Sequence, residues 1–230
     1  MIIGIMGAMQ EEIAPILDLV DKVEKEIDYA GNKYYKASFK NHILIIAYSK
    51  IGKVNSALTA ATMIEKFNIE ILLFSGVAGA INENLHIGDL IIATKLCQHD
   101  LDITAFGHPY GYVPESKIFV ESDSNLNNIA KNVAKKLNLK LLEGIIATGD
   151  QFIADPAKKE WIKNTFNADA IEMEGASVGF VCDSLNIPFF ILRAISDSAD
   201  IDAGFDFDKF LEGSAKNSAK FLFNMLEEIK

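Results

Sequence analysis

The residues best suited to chemistry lie at positions 170–197, in AIEMEGASVG, the apolar run IPFFIL and RAISD. This stretch contains Glu172 and Glu174 beside small residues, the only arginine of the chain, Arg193, and Asp197 at the end of a predicted buried strand. Carboxyl groups can act as general acids or bases when burial shifts their pKa. We therefore expect the chemistry to centre on this stretch.

A further carboxylate of interest, Glu12, lies near the start of the chain. Residues 2–6 form an apolar run typical of a strand buried on both faces, and helical spacing of apolar residues follows at 11–20. Glu12 thus lies at a strand–helix junction, where open α/β sheets gather functional loops. Taken alone, a glutamate in a first helical turn is more often a solvated residue that stabilises the helix dipole.

Glycines and one aromatic residue complete the outline of a pocket. Gly76 and Gly79, in SGVAGAI, either make a tight turn or let the backbone approach a ligand closely. Gly149 begins a loop in which Phe152 could stack on a planar ligand, although a core position for this ring is also open. With the carboxylates described above, the pattern predicts an acidic pocket with a slot for a planar ligand.

The composition excludes several classes of partner. The sequence has 22 basic and 32 acidic residues, and the resulting net charge of -10 argues against binding to nucleic acid or to an anionic membrane. Cys97 and Cys182 form no CxxC pair and have no histidines at metal-ligand spacing, so we expect no disulfide, no metal and no cofactor. The acidic residues that follow the apolar start favour a first strand over a signal peptide. We therefore expect a cytoplasmic protein.

Strand and helix patterns alternate along the chain without a repeat, a low-complexity tract or a linker. Strands are predicted at residues 2–6, 32–39, 42–49, 69–74, 88–95 and 141–148 and in IPFFIL. Helices are predicted at residues 11–20, 124–137 and 206–229, among others. The sequence predicts a single α/β domain over residues 1–230, a layered fold with a central mixed β-sheet flanked by helices.

Two further segments carry specific expectations. The helix after Gly52 should turn Val54, Leu58, Ala61 and Ile64 toward the core. Gly52 and Lys53 resemble a fragment of a phosphate loop but lack its upstream glycine, so we assign them no phosphate-binding role. The segment 98–119 is aromatic and proline-bearing, and loops of about twenty residues are usually functional or pack against a partner chain.

Several motifs together resemble one family over nearly the whole chain. They are IGIMGAMQEEI, SKIGKV, FSGVAGAI, HDLDITAFGHPYG, ATGDQFI, AIEMEGASV and LRAISD followed by FDFDKFL. On these motifs the sequence resembles the 5'-methylthioadenosine/S-adenosylhomocysteine nucleosidases of the purine nucleoside phosphorylase/hydrolase superfamily. One departure is visible, since GVAG stands where relatives often have GSAG. Val77 cannot donate a side-chain hydrogen bond there.

The resemblance implies hydrolysis of an N-glycosidic bond, which releases adenine from a 5'-substituted adenosine. Cleavage passes through an oxocarbenium-like state, so the leaving base must be neutralised and the ribose cation stabilised. By resemblance, Asp197 is the general acid that protonates adenine N7 and Glu12 the general base that activates water. Glu174 is implied to accept hydrogen bonds from ribose hydroxyls, and Met173 to pack against the sugar.

The resemblance also implies the remaining contacts with the substrate. Phe152 would stack on the adenine, the backbone of Ile153 would read its Watson–Crick edge, and Gly79 would let main chain approach the nucleoside. Arg193, which we expect to orient a carboxylate, and Ser196 would support the site, while Glu172 is left a structural role. The pocket for the 5'-substituent would be lined by Met9, Ile51 and Phe207 and, across a dimer interface, by Ile103 and Phe106.

Assembly and substrate range follow from the same resemblance. It implies a homodimer in which each active site is completed by the neighbouring subunit, with a small nucleoside and water as the reactants. Methylthioadenosine, S-adenosylhomocysteine, 5'-deoxyadenosine and the 6-amino-6-deoxyfutalosine of menaquinone synthesis are all possible substrates, and the sequence leaves the choice among them open.

Two other functions are alternatives to hydrolysis. A purine nucleoside phosphorylase would use phosphate as the nucleophile, and phosphate recognition favours guanidinium groups. A single arginine, together with Glu12 in the nucleophile region, makes that reading less favourable. The second alternative is a non-catalytic nucleoside-binding module, which would need neither a general acid nor a general base.

Overall fold

The computed structural model of the chain describes residues 1–200 and 202–230. Its strands are β1 (Ile2–Gly7), β2 (Lys22–Tyr29), β3 (Asn32–Phe39), β4 (His42–Tyr48), β5 (Ile71–Ala80), β6 (Leu90–Gln98), β7 (Phe119–Glu121), β8 (Leu141–Thr148), β9 (Ala170–Glu172) and β10 (Phe189–Asp197). Its helices are α1 (Gln10–Leu17), α2 (Lys53–Phe67), α3 (Ser124–Leu137), α4 (Pro156–Phe166), α5 (Gly175–Ser184) and α6 (Ala203–Leu226). A short 3-10 helix spans Thr104–Phe106.

The ten strands form one mixed sheet in the order β10-β6-β8-β9-β5-β1-β4-β3-β2, with β7 paired to β6. An additional parallel pairing of β10 with β5 closes β5, β9, β8, β6 and β10 into a ring, from which β1, β4, β3 and β2 extend. The predicted central mixed sheet flanked by helices is confirmed. Its closure was not predicted, because β5 and β10 are far apart in the sequence.

Alternation of side chains along the buried strands divides the core between the two faces of the sheet. In β1, Ile3 and Ile5 pack into a cluster that includes residues of α1, α3 and α6, whereas Met6 joins a cluster that includes residues of α2 and α5. A strand covered on both faces explains the continuous apolar run at this point of the sequence. No helix within residues 1–200 and 202–230 combines the length and apolar character needed to cross a membrane.

One strand was not predicted, and the predicted core face of helix α2 is right at Ile64 but wrong at Val54 and Leu58. Strand β2, KVEKEIDY, was not predicted, because nearly all its side chains are exposed and it lacks an apolar face. Helix α2 turns Val54 and Leu58 outward, where they are 79% and 50% exposed, instead of into the core. The buried face of this helix carries small and polar residues such as Ser56 and Ala60, which allow a close approach to α5.

Candidate active site

The cavity that receives the predicted residues lies where β1, β5, β8, β9 and β10 end. It has a volume of about 480 Å³. Several strands present their carboxyl ends to one side of the sheet here, which is where α/β folds collect their binding groups. Among the predicted site residues, those lining it are Met9, Glu12, Ile51, Gly79, Phe152, Ile153, Met173, Glu174, Ser196, Asp197 and Phe207.

Glu12 is held by main-chain amides on both of its carboxylate oxygens. The amide of Ala8 donates to Oε2 at 2.5 Å and that of Met9 at 3.1 Å, while the amide of Val77 donates to Oε1 at 3.0 Å. A Cβ at Gly76 would lie 2.6 Å from Oε1, so only glycine leaves room for this carboxylate. Val77 therefore binds Glu12 through its backbone amide, so the lack of a side-chain donor at this position leaves the hydrogen bond to Glu12 intact.

Burial raises the pKa of the Glu12 carboxyl, and this effect exceeds the opposing influence of Arg193 and of the three amides. The amides nevertheless favour the ionised form and fix its direction. Each carboxylate oxygen has two lone pairs, so Oε1 retains an acceptor site beyond its bond with Val77. Glu12 can therefore accept a proton from a water molecule in the cavity.

Arg193 lies behind the cavity wall and is bound to Glu172. Its Nη2 donates to Glu172 Oε2 at 2.7 Å, and its Nη1 donates to the Leu192 carbonyl at 3.1 Å. The guanidinium carbon also lies 4.1 Å from the centre of the Phe74 ring. Glu172 Oε2 accepts the amide of Gly175 at 2.7 Å as well. These contacts are the arrangement expected of an arginine that anchors a carboxylate.

Replacing Arg193 by methionine should lower the free energy of unfolding by about 3 kcal/mol, because it leaves the buried Glu172 carboxylate without its cation. Urea unfolding monitored by circular dichroism measures this loss. The matched control is Lys131→Met, which breaks a partly exposed ion pair with Glu143 and should leave the midpoint nearly unchanged. Equal midpoints for the two variants would contradict a structural role for the Arg193–Glu172 pair.

Glu174 lies at the start of α5, and its Oε1 accepts the main-chain amide of Gly52 at 2.8 Å. Burial raises the pKa of the Glu174 carboxyl to about 8, and the nearby Glu172 carboxylate acts in the same direction. The Gly52 amide and Arg193 oppose this shift. Glu174 therefore holds a proton at neutral pH more readily than an ordinary glutamate, and its carboxyl oxygens can still accept hydrogen bonds.

This shift predicts a pH dependence of stability. Because the pKa of Glu174 in the folded chain, about 8, lies above its ordinary value of 4.5, the folded state binds the extra proton between these values. The resulting stabilisation is complete below the ordinary value and is lost as the pH rises through the folded one. Thermal melting between about pH 5 and pH 9 should show this decline, and Glu174→Gln should flatten it. Identical slopes for the variant and the unmodified protein would contradict the assignment.

Asp197 is the last residue of β10 and lines the cavity. Its Oδ2 accepts the Ser196 hydroxyl at 2.8 Å and its Oδ1 accepts the Ala199 amide at 2.8 Å. Burial raises the pKa of the Asp197 carboxyl despite these two bonds. A Cβ at Gly79 would lie 2.7 Å from Asp197 Oδ1, so a glycine again makes space for a carboxylate.

The glycines of β5 define how the two carboxylates are placed. Gly76 faces Glu12 and Gly79 faces Asp197, and both lie within the strand. The tight turn that was one interpretation of SGVAGAI is therefore wrong. Both glycines make room for a carboxylate of the chain itself, and the close approach of the backbone to a ligand stays a prediction.

Aromatic and thioether side chains line the rest of the cavity. Phe152 is 50% exposed, and its ring meets that of Phe207 edge to face with centroids 5.8 Å apart. Met173 lies between Glu172 and Glu174 in the sequence and also lines the cavity. A half-exposed phenyl ring that lines a cavity can offer its flat apolar face to a planar heterocycle.

The assignment of Ile103 and Phe106 to the pocket of a neighbouring subunit stays a prediction, and some residues that line this chain's own cavity were not predicted. Ile103 and Phe106 are absent from the described lining, and Phe106 is 81% exposed. Gln151 and Asp208 do line the cavity. Both directly adjoin predicted site residues, which is the signal that could have identified them. Within residues 1–200 and 202–230, no cluster of three or more histidine, cysteine or acidic residues is placed to hold a metal ion.

The sequence profile of the phosphorylase superfamily matches residues 2–227. The chain is 60% identical to an aminodeoxyfutalosine nucleosidase of Campylobacter jejuni, with 99% of each chain covered. It is 38% identical to a 5'-methylthioadenosine/S-adenosylhomocysteine nucleosidase of Bacillus cereus, again over 99% of each. A Helicobacter pylori nucleosidase superposes on the chain with a TM-score of 0.98 at 51% identity, covering 99% of this chain and 98% of that one. That protein was solved as an aspartate-to-asparagine variant with 5'-methylthioadenosine in its active site. The chain belongs to the phosphorylase superfamily and is a nucleosidase that hydrolyses N-glycosidic bonds.

Proposed function

We propose that this nucleosidase hydrolyses 5'-substituted adenosines to adenine and the 5'-substituted ribose, with Asp197 as general acid and Glu12 as general base. The observation that carries the proposal is the placement of two buried carboxyl groups of raised pKa at separate parts of one cavity. One group can hold a proton for the leaving base while the other accepts a proton from water.

The proposed reaction follows the positions of the groups. Adenine packs on Phe152 with its Watson–Crick edge toward the backbone of Ile153, and N7 receives the proton of Asp197. Protonation makes adenine a neutral leaving group as the bond to the anomeric carbon breaks. Water, whose proton passes to Glu12, then adds to the oxocarbenium-like ribose.

The ribose is placed by the residues at the start of α5. Glu174 accepts hydrogen bonds from the ribose hydroxyls, and Met173 packs on the sugar face. Ser196 donates to Asp197 and limits how the acid can rotate. Gly79 leaves the main chain of β5 open to the nucleoside, and Met9, Ile51 and Phe207 contact the 5'-substituent.

Water, rather than phosphate, is the proposed nucleophile. Arg193, the single arginine of the sequence, is bound to Glu172 and has a side chain only 1% exposed. It therefore presents no free guanidinium to a phosphate group. The Glu12 carboxylate at the nucleophile position would repel an anion, which also disfavours phosphorolysis.

The substrate range includes 6-amino-6-deoxyfutalosine in this proposal, since the relative that is 60% identical is named for that substrate. A competition assay with equal concentrations of methylthioadenosine, S-adenosylhomocysteine, 5'-deoxyadenosine and aminodeoxyfutalosine tests it by following each ribose product. We expect all four to be cleaved, with aminodeoxyfutalosine among the preferred substrates. Failure of all four to release adenine would overturn the proposed function.

A homodimer is proposed from a surface that the single chain leaves apolar. Ile51, Val54 and Leu58 at the start of α2 are each at least half exposed, as is Phe106. Exposed apolar clusters of this kind mark sites of protein association. Pairing of this face with a second copy would bring Ile103 and Phe106 to the neighbouring active site, where they are proposed to contact the 5'-substituent.

Sedimentation should give a dimer for the unmodified protein and a monomer for Leu58→Asp, because the new charge would be buried without a partner. The monomer should also lose activity, since its 5'-substituent pocket would be incomplete. Leu139→Asp changes an equally exposed leucine outside this face and serves as the control. A concentration-independent monomer for the unmodified protein would contradict the dimer.

Two further proposals concern the extent of the domain and the compartment in which the enzyme works. A single nucleosidase domain over residues 1–230 is favoured because β1 and β10, from the two ends of the chain, both pair with β5. A cytoplasmic enzyme is favoured because Cys97 and Cys182 are both free and buried, as is typical of proteins from reducing compartments.

A further inference from the structure

Lys53, the first residue of α2, is bound by three acceptors. Its Nζ donates to Asp100 Oδ1 at 2.7 Å and to Gln98 Oε1 at 3.1 Å, and its main-chain amide donates to Asp150 Oδ1 at 2.8 Å. The side chains of Lys53 and Asp100 are only 18% and 14% exposed. The chain's other lysine–carboxylate bridges that the structure describes have at least one partner more than a third exposed.

Asp100 extends this contact to the loop after β8. Its Oδ2 accepts the main-chain amide of Asp150 at 2.9 Å. Burial alone would raise the pKa of the Asp100 carboxyl, but the bonds from Lys53 and the Asp150 amide outweigh it and lower the pKa. The pair therefore stays ionised at neutral pH. It links the turn before α2, the end of β6 and the loop that carries Phe152.

The turn that Lys53 fixes also holds Glu174. Gly52 has a φ of 99°, a conformation that favours glycine, and its amide donates to Glu174 Oε1 at 2.8 Å. One turn further along α2, the Ser56 hydroxyl lies 2.7 Å from the Ser177 hydroxyl, which in turn donates to the Glu174 carbonyl at 2.6 Å. The turn before α2 thus contacts the Glu174 side chain directly, and α2 itself is linked to the Glu174 main chain through Ser177.

We propose that Lys53 is a positioning residue: its ion pair with Asp100 and the hydrogen bond from its main-chain N–H to Asp150 fix the Gly52 turn, whose N–H orients the Glu174 carboxyl group toward the ribose. This inference rests on the proposed function, because it requires Glu174 to bind ribose hydroxyls. It also explains the GK dipeptide of SKIGKV without a phosphate, since the lysine is occupied by Asp100 and Gln98.

A mutant cycle on Lys53 and Glu174 tests the inference. The unmodified protein, Lys53→Met, Glu174→Gln and the double variant are compared by kcat/KM for methylthioadenosine. Their dissociation constants for this nucleoside are measured by calorimetry in an Asp197→Asn background. Lys53→Met should lower kcat/KM by about 10- to 100-fold, mostly through KM, because a small displacement of a binding group has effects of this size.

The decisive result is the lack of additivity. If Lys53 acts through Glu174, the double variant should be no worse than Glu174→Gln alone, within about 2-fold. Effects that multiply, or a Lys53→Met protein as active as the Lys131→Met control, would overturn the inference. Asp100→Asn breaks the same ion pair from the other side and gives a second cycle if Lys53→Met fails to fold.

The two proposals fail in distinguishable ways. Absence of adenine release by the unmodified protein would count against the proposed function alone. The dissociation constants do not depend on turnover, so the cycle built from them still reports on coupling between Lys53 and Glu174. Additive losses in those constants would overturn the inference even in a fully active enzyme.

Discussion

Replacing Asp197 by asparagine is expected to lower kcat by about 10³- to 10⁴-fold, near the upper end of what general acid catalysis contributes. An amide cannot deliver a proton to N7, so adenine would have to leave as an anion. The substitution is nearly isosteric, and the carbonyl oxygen of asparagine can still accept the Ala199 amide, which binds Asp197 Oδ1 at 2.8 Å. Nucleoside binding should therefore remain measurable by calorimetry.

The control for this variant is Asp28→Asn, which changes an exposed aspartate on β2 far from the cavity. It should keep the kcat of the unmodified protein. Single-turnover assays follow adenine release in both variants. If Asp197→Asn retained normal turnover, Asp197 would be removed from the role of general acid.

Replacing Glu12 by glutamine should lower kcat by about 10²- to 10⁴-fold, because the amide cannot accept a proton from water. The surroundings add a second effect. Both carboxylate oxygens of Glu12 accept amides, from Ala8 and Met9 on one side and from Val77 on the other. A glutamine NH2 group would face a main-chain donor in either orientation, so the side chain would also lose its fixed direction.

Glu11→Gln provides the matched comparison, since Glu11 is the exposed neighbour of Glu12 on the same helix. Its kcat should be unchanged. Thermal melting of both variants separates loss of catalysis from loss of fold. Normal activity in a folded Glu12→Gln protein would contradict the assignment of the general base.

The sequence predicted the elements whose side-chain pattern reflects burial. The apolar runs of β1 and β10 are visible because both strands are covered on both faces. Strand β2 was not predicted because its register is set by pairing with β3, and its exposed, charged side chains carry no periodic apolar signal. The buried face of helix α2 was predicted correctly at Ile64 but not at Val54 and Leu58, since these exposed apolar residues have the same helical spacing as a core face.

The sequence predicted site residues where a carboxylate lies at or just after the end of a predicted strand. Asp197 and Glu174 lie at such points, and the structure places both in the cavity lining. The role of Lys53 was not visible, because its partner Asp100 is 47 positions away and only the folded chain brings them together. The precise fit of Glu12 was equally hidden, since it depends on the amide of Val77 in another strand.

The proposed mechanism is tested most directly by identifying the nucleophile, water or phosphate. Adenine release from methylthioadenosine is measured in phosphate-free buffer made with ¹⁸O-labelled water, and the ribose product is analysed by mass spectrometry. We expect full activity without phosphate, no stimulation when phosphate is added, and one labelled oxygen at the anomeric carbon. Strict dependence on phosphate, with ribose 1-phosphate as the product, would contradict it.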